Sequence, residues 1–397
     1  MNRTIVAMPG DGIGKVVLDQ TIRVLDAAGF KANYVEGDIG WEFWRSEGNP
    51  LPQRTLDLIQ EHKIGLFGAI TSKPKDEAFD ELDDSLKDKG LVYSSPIVGL
   101  RQHFGLDICL RPCRTFKGNP LNFIRRGPNN TIEEPEIDVA IFRQNTEGLY
   151  GGVEWSDPPA NVYDALMSHP KFSKNFGETP VEEISVSTRI FTKKYTERIL
   201  RASFEHAKKY GYKSVTVCEK PNVIRETSGM MYKMAQQIQK SEYPDIELWN
   251  TNIDAQMMWL TKNPENYGVI VAGNMFGDIV SDGFAGLIGG LGFATSAQYN
   301  PETGIGVFEP THGSAPKYAD YETSIVNPIA MIETSCMMLD FIDEQDIAKR
   351  IRKAVSEVIQ DGEVQTYDMA KMPGREDVID NGAATTVEMA DAVINKL

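Results

Sequence analysis

The chain has 397 residues, 41% of them hydrophobic and 25% charged, a globular composition. At roughly 150 residues per domain that length predicts two or three domains with a sizeable core. Its 57 Asp and Glu against 41 Lys and Arg give a formal net charge of -16, which argues against a general nucleic-acid binder.

The opening residues MNRTIVAMPGDGIG run into a strand-like apolar segment and a Gly-rich turn, not a signal peptide. No apolar run approaches the length of a membrane span, so a cytoplasmic protein without membrane contact is expected. RTIVAMPG, KANYVEG and KIGLFGAI read as strands, alternating with the helix-like VVLDQTIRVLDAAGF and TLDLIQEH, which predicts an α/β layer. IDVAIF (Ile137–Phe142), SVTVCEK from Ser214 and YGVIVAG read as further buried strands. Residues 150 to 190 are polar, Pro-rich and irregular before ISVSTRIF resumes a strand pattern, which fits an arm better than a core layer. YTERILRASFEHAKKYG, ETSGMMYKMAQQIQK, DIAKRIRKAVSEVIQ and TTVEMADAVINKL have helical periodicity, and no internal repeat appears.

GDGIG, from Gly10 to Gly14, invites a phosphate-cradling reading, but Lys15 stands where a dinucleotide fingerprint has its third glycine. A tight strand-to-helix turn accounts for it better. In LRQHFGLDICLRPCR, Arg101 and Arg111 precede Arg143 at the end of a predicted strand, and planar guanidinium groups bind carboxylates in two-point contacts. Taken singly, each is better read as a surface charge or as a partner for one of the many carboxylates. Asp278 and Asp282 stand at i, i+4 spacing in NMFGDIVSDGF, on one face of a helix, with Asp254 upstream in NIDAQ. Hard divalent cations accept such sparse oxygen sets, yet Asp is equally at home at helix starts, and spacing alone leaves the two readings even. Tyr150 and Lys220 are candidate proton carriers, and each needs burial or a charged neighbour to work near neutral pH. Cys109, Cys113, Cys218 and Cys336 are too scattered for a disulfide framework, and reduced thiols are expected. There is no Ser-His-Asp or HExxH pattern, so hydrolase chemistry has no support.

Together these segments resemble the β-decarboxylating dehydrogenases, the family of isocitrate, isopropylmalate and homoisocitrate dehydrogenases. The resemblance runs in family order through GDGIG, LRQHFGLDICLRP, RQNTEGLYGGVEW, EKPN, NIDA, NMFGDIVSD, EPTHGSAPKYA and TYD. It implies an α/β isopropylmalate/isocitrate dehydrogenase-like fold, not a Rossmann fold. A large cofactor-binding domain is expected from residues 1–106 and 289–397, a small dimerisation domain from 107–147 and 193–288, and a dimer clasp at 148–192. By the same resemblance Ser95, Arg101, Arg111 and Arg143 bind the substrate. Asp278 and Asp282 bind magnesium or manganese, with Asp254 reaching in from the partner subunit of a homodimer. Tyr150 becomes the proton donor, and Lys220 from the partner completes each site. Thr71 and Asn222 approach the nicotinamide or substrate, Glu309, Thr311, His312 and Gly313 form the adenosine loop, and Asn327 touches the adenine.

Substrate choice in the family rests on the segment before Arg101, here YSSPIVGLR. Ser95 stands where isocitrate enzymes have a serine for the third carboxylate, and Ile97 replaces an asparagine often found there. Isocitrate is favoured, with homoisocitrate or 3-isopropylmalate as alternatives. Lys317, Tyr318 and Tyr367 match the phosphate-binding set of NADP-dependent bacterial isocitrate dehydrogenases, whereas Lys371 replaces an arginine and the loop before Asn327 is longer. NADP is the better reading, and NAD remains the alternative. A non-catalytic regulatory subunit should lack the metal or proton-transfer residues, all of which are present, and a phosphoryl-transfer enzyme should show a GxxxxGK loop, which is absent.

Overall fold

The computed structural model describes residues 3–397. Ten strands make one mixed sheet. They are β1 (Arg3–Gly10), β2 (Ala32–Glu36), β3 (Ile64–Ala69), β4 (Ile108–Arg114) and β5 (Asp138–Gln144), followed by β6 (Ser214–Glu219), β7 (Glu247–Asn252), β8 (Val269–Ala272), β9 (Thr295–Asn300) and β10 (Ile305–Pro310). Their spatial order is β7-β6-β8-β5-β4-β9-β10-β3-β1-β2. The five strands on one side all come from residues 107–288 and the five on the other from the two chain ends. The halves meet where β4 and β9 pair antiparallel, through Leu110 with Ala297, Cys109 with Gln298 and Ile108 with Tyr299.

Strands β3, β6 and β8 are buried along their whole length, as parallel strands covered by helices on both faces must be. That is why β3 (IGLFGA) and β8 (VIVA) read as continuous apolar runs, whereas β6 (SVTVCE) buries a serine, a threonine and a glutamate as well. Helix α1 (Gly14–Ala27) follows β1 and buries Val17, Leu18, Thr21, Val24 and Leu25 along one stripe. Helix α2 (Pro96–Phe104) begins on a proline at its first turn and ends at Gly105 with φ +58°, a left-handed stop. Helix α3 (Lys193–Tyr210), helix α4 (Thr227–Glu242), helix α5 (Ile253–Leu260) and helix α6 (Asn274–Leu287) pack around the 107–288 half.

Helix α7 (Ile329–Phe341) packs against α1, β9 and β10 and is buried almost all round, so its sequence carries no helical alternation to read. Helix α8 (Gln345–Asp361) covers it, and helix α9 (Thr386–Asn395), opened by a reciprocal Thr385–Glu388 capping box, packs on α1 and α8.

Residues 150–190 are more regular than their composition predicts. A small antiparallel pair, Glu154–Ser156 with Ser185–Ser187, frames helices Ala160–Met167 and Pro170–Phe176. Prolines at the starts of both helices preset the first turn, and neither helix buries a residue. Tyr163, Phe172 and Phe176 stack on one another instead, with centroids 6.2 and 5.4 Å apart. All four cysteines are buried and free, and no described helix is long and apolar enough to cross a membrane.

Candidate active site

The glycines of GDGIG serve a close approach between loops. Gly10 and Gly12 have φ of +68° and +55°, and a Cβ on Gly12 would lie 2.1 Å from the Ser314 carbonyl oxygen. The Ile13 amide donates to that same carbonyl at 3.0 Å, which joins the motif to the HGSA loop. Asp11, between the glycines, accepts from the Trp41 and Thr71 amides, both at 2.7 Å. Burial raises its pKa against those two bonds. Thr71 is thereby fixed, with its hydroxyl 2.6 Å from that of Ser314 and its carbonyl accepting from Tyr93 at 2.8 Å.

Antiparallel pairing of β4 and β5 sets Arg111 and Arg143 on adjacent strands, and α6 lays Asp278 and Asp282 across them. Arg111 Nη1 donates to Asp278 Oδ1 at 3.0 Å, to Asp282 Oδ1 at 3.3 Å and to Ser281 Oγ at 2.8 Å. Arg143 donates to the same Asp278 oxygen, and its Nε and Nη2 both donate to Asn274 Oδ1, at 2.9 and 2.8 Å. The i, i+4 spacing thus does place both carboxylates on one face. The N-cap of α6 is Gly273 and its first turn holds no acid, so the helix-start reading of these aspartates fails.

Tyr150 closes the rim of this cluster. Its hydroxyl donates to Asp278 Oδ2 at 3.3 Å, and the Arg143 guanidinium lies 5.5 Å from its ring centroid. Partial burial, reinforced by the Asp278 charge, raises the phenol pKa, so Tyr150 holds its proton at neutral pH. Burial and then repulsion from Arg111 and Arg101 bring Arg143 down to about 10, still cationic. The three guanidinium groups are balanced by carboxylates, Arg111 and Arg143 by Asp278 and Arg101 by Glu309.

Arg101, on α2, is buried. Its Nε donates to Gln298 Oε1 at 2.6 Å and its Nη2 to Glu309 Oε1 at 3.2 Å. Ser95 is the N-cap of the same helix, and its side chain makes no capping bond. Ile97, the departure from the family pattern, is buried among Leu51, Leu56 and Leu100.

The cofactor candidates form two groups. Thr311 donates through its amide to Ala294 O at 3.0 Å, while Gly313 leaves open space beside Ile70. The His312 ring is desolvated, which lowers its pKa, and its Nε2 is buried without a partner among the described residues. Asn327 Nδ2 donates to Asp368 Oδ2 at 3.1 Å. In the second group Tyr318 and Tyr367 lie 5.4 Å apart, and Lys317 Nζ sits 5.2 Å from the Tyr318 ring and donates to Gly374 O at 2.9 Å. Lys371 is exposed on the turn after Tyr367, held at φ +55°.

Two sets stay apart from the cluster in the single chain. Lys220, just after β6, is paired with Asp254 in the first turn of α5, and that bond lowers the Asp254 pKa. Asn222 lies in an exposed turn beyond Lys220. Sequence reasoning missed Asn274, Ser281 and Gln298, which bond the arginines directly. Neutral amides and hydroxyls carry no spacing signal that would have found them.

The arrangement suits a compact anion bearing several carboxylates, held at three arginines with a hard cation alongside. Asp282 is the more open of the aspartate pair, while the Asp278 oxygens are taken by Arg111, Arg143 and Tyr150. The two carboxylates suit part of the oxygen shell of a hard divalent ion, and no third His, Cys, Asp or Glu joins them among the described residues. The unpartnered His312 nitrogen is a free polar group that a nicotinamide dinucleotide could engage, and Tyr318 and Tyr367 lie in contact beside Lys317.

Comparison with known proteins identifies the family. The chain is similar to protein DlpA of Legionella pneumophila, 38% identical over 98% of this chain, which spans 58% of that relative's length. It is 34% identical to the 3-isopropylmalate dehydrogenase of Archaeoglobus fulgidus, over 100% of this chain and 99% of that one. The crystal structure of isocitrate dehydrogenase from Methylococcus capsulatus superposes with a TM-score of 0.80 at 34% identity, covering 99% of both chains. The family described as isocitrate/isopropylmalate dehydrogenase matches residues 4–393, so the chain belongs to that family of oxidoreductases.

Proposed function

We propose that this protein is an NADP-dependent isocitrate dehydrogenase. It would convert isocitrate to 2-oxoglutarate and carbon dioxide in the presence of magnesium or manganese. The observation that carries the reading is the convergence of Arg111 and Arg143 on Asp278, with Arg101 close enough to repel Arg143. A malate-type substrate needs two carboxylate partners. The third arginine and the free Ser95 hydroxyl supply a further one.

When bound, the cofactor supplies a hydride acceptor at C2 and the metal a Lewis acid beside the C2 oxygen. The chain's own residues orient and move protons. Arg101, Arg111 and Arg143 fix the carboxylates, and the Asp278–Asp282 face holds the cation against them. Lys220, from the partner subunit of a homodimer, completes the site with Asp254 of that subunit. Tyr150 keeps its proton until carbon dioxide has left, then delivers it to the carbon that lost the carboxylate. The 148–192 arm is the clasp of that dimer. The domain boundary lies at the β4–β9 seam, with 1–106 and 289–397 on one side and 107–147 and 193–288 on the other.

What supports NADP is the grouping of Lys317, Tyr318 and Tyr367, one cation and two phenols of the kind that bind a phosphate. Absorbance of reduced nicotinamide tests the whole reading. Isocitrate, homoisocitrate and 3-isopropylmalate are each assayed with NAD and NADP in the presence of magnesium. The highest kcat/KM is expected for isocitrate with NADP, and a higher value for either other acid, or for NAD, overturns that part of the assignment.

A further inference from the structure

Gln298 belongs to none of the segments that mark the family resemblance, yet it sits between the two halves of the site. It is on β9, at the seam with β4, and has no exposed surface. Its side-chain oxygen accepts from Arg101 Nε at 2.6 Å and from Asn145 Nδ2 at 2.9 Å, and its side-chain nitrogen donates to Glu309 Oε1. Asn145 in turn donates to Leu106 O at 3.3 Å, at the end of the segment that carries Arg101. Every polar atom of the Gln298 side chain is thus used, and its amide orientation is dictated by donors on one side and a carboxylate on the other.

Glu309 is the natural competitor for Arg101. A buried carboxylate beside a guanidinium gains most from a two-point contact, in which both forks are parallel. Here the pair makes a single bond at 3.2 Å, because Gln298 takes the Arg101 Nε and also donates to the same Glu309 Oε1 that Arg101 Nη2 reaches. The remaining guanidinium nitrogen, Nη1, is left uncommitted among the described residues.

We infer that Gln298 is a positioning residue for substrate binding: it restricts Arg101 and Glu309 to a one-point contact and so keeps the rest of the Arg101 guanidinium available to a substrate carboxylate. The inference rests on the proposed role of Arg101 as a substrate ligand. Without the amide, Arg101 and Glu309 close into a two-point ion pair, and the site loses one carboxylate partner while its catalytic groups stay in place. The signature is a rise in KM for the hydroxy acid with little change in kcat.

The test is a double-substitution cycle in the full-length protein, with D-isocitrate, magnesium and saturating NADP. Gln298→Met keeps the volume and removes all three hydrogen bonds. It is expected to raise the isocitrate KM about tenfold, with kcat and the NADP KM changed less than about threefold. In a Glu309→Gln background, where no carboxylate competes, the same substitution should change KM less than about twofold. Should the methionine variant fail to fold, Gln298→Glu combined with Glu309→Gln exchanges amide and carboxylate at constant charge. Its isocitrate KM should then lie nearer the wild type than that of Gln298→Glu alone. An unmoved KM, an equal rise in both backgrounds, or a failure of the exchanged pair to recover would overturn the inference. Wild-type protein that oxidises none of the three acids would overturn the proposed reaction itself, and this role of Gln298 with it.

Discussion

Replacing Tyr150 by phenylalanine separates stability from catalysis, because the hydroxyl does little in the resting fold. It makes one hydrogen bond, 3.3 Å long, to Asp278 Oδ2, on a residue that is 44% exposed. Loss of such a bond should cost less than about 1 kcal/mol of stability, since water replaces it readily. The ring stays, and with it the 5.5 Å contact to the Arg143 guanidinium, so the arginines that hold the substrate keep their places. The KM for isocitrate should therefore change by no more than a few fold. Proton delivery by a placed acid is worth typically 10²–10⁴-fold, or about 3 to 5 kcal/mol of barrier. The overall oxidative decarboxylation should fall by that factor. Reduction of oxalosuccinate by NADPH should retain most of its rate, because it involves no proton transfer to the decarboxylated carbon. The assay is the pair of partial reactions followed by nicotinamide absorbance, alongside thermal unfolding of both proteins. Equal loss in the two partial reactions, or a melting temperature lowered in step with activity, would refute this reasoning and make Tyr150 a packing residue.

Asp278→Asn removes the carboxylate shared by Arg111, Arg143 and Tyr150, and should raise the half-saturating magnesium concentration at least tenfold; unchanged metal dependence removes Asp278 from the metal site. Lys317→Asp with Tyr318→Ile removes attraction for a 2'-phosphate and adds repulsion, so the ratio of kcat/KM for NADP over NAD should fall by at least tenfold. A ratio that does not move would place the cofactor's selectivity in the lengthened loop before Asn327. His206 packs against Phe142, Tyr210 and Tyr212 at 5.2, 4.4 and 5.8 Å, and burial lowers its pKa to about 4. The unfolded chain binds that proton near pH 6.5 and the folded chain does not, so stability contributed by the neutral ring is lost as pH falls from 6.5 to 4. The loss is roughly 3 kcal/mol on the usual scale, and chemical denaturation of His206→Phe should lack that part of the slope. An identical slope in the variant would assign the acid sensitivity to other groups.

Local pattern sufficed for the buried strands and amphipathic helices, and for naming the ionisable residues that the fold then brings together. Apolar runs fixed the buried strands, and amphipathic stripes fixed α1, α3 and α8, because each depends only on neighbours a few residues away. Arg101, Arg111, Arg143, Asp278, Asp282 and Tyr150 could be named because ionisable side chains in ordered motifs are legible without coordinates. Tertiary structure alone decided what each of them faces. Arg111 and Arg143 share one aspartate oxygen only because β4 and β5 pair antiparallel beneath α6, a contact between residues far apart in the chain. Helix α7 left no trace in periodicity, since burial on all sides erases the contrast between faces. Regular helices inside the polar 150–190 arm were hidden for the opposite reason, that they bury nothing. Gln298 was invisible as well, because a neutral amide acquires a role only when a fold buries it between an arginine and a carboxylate.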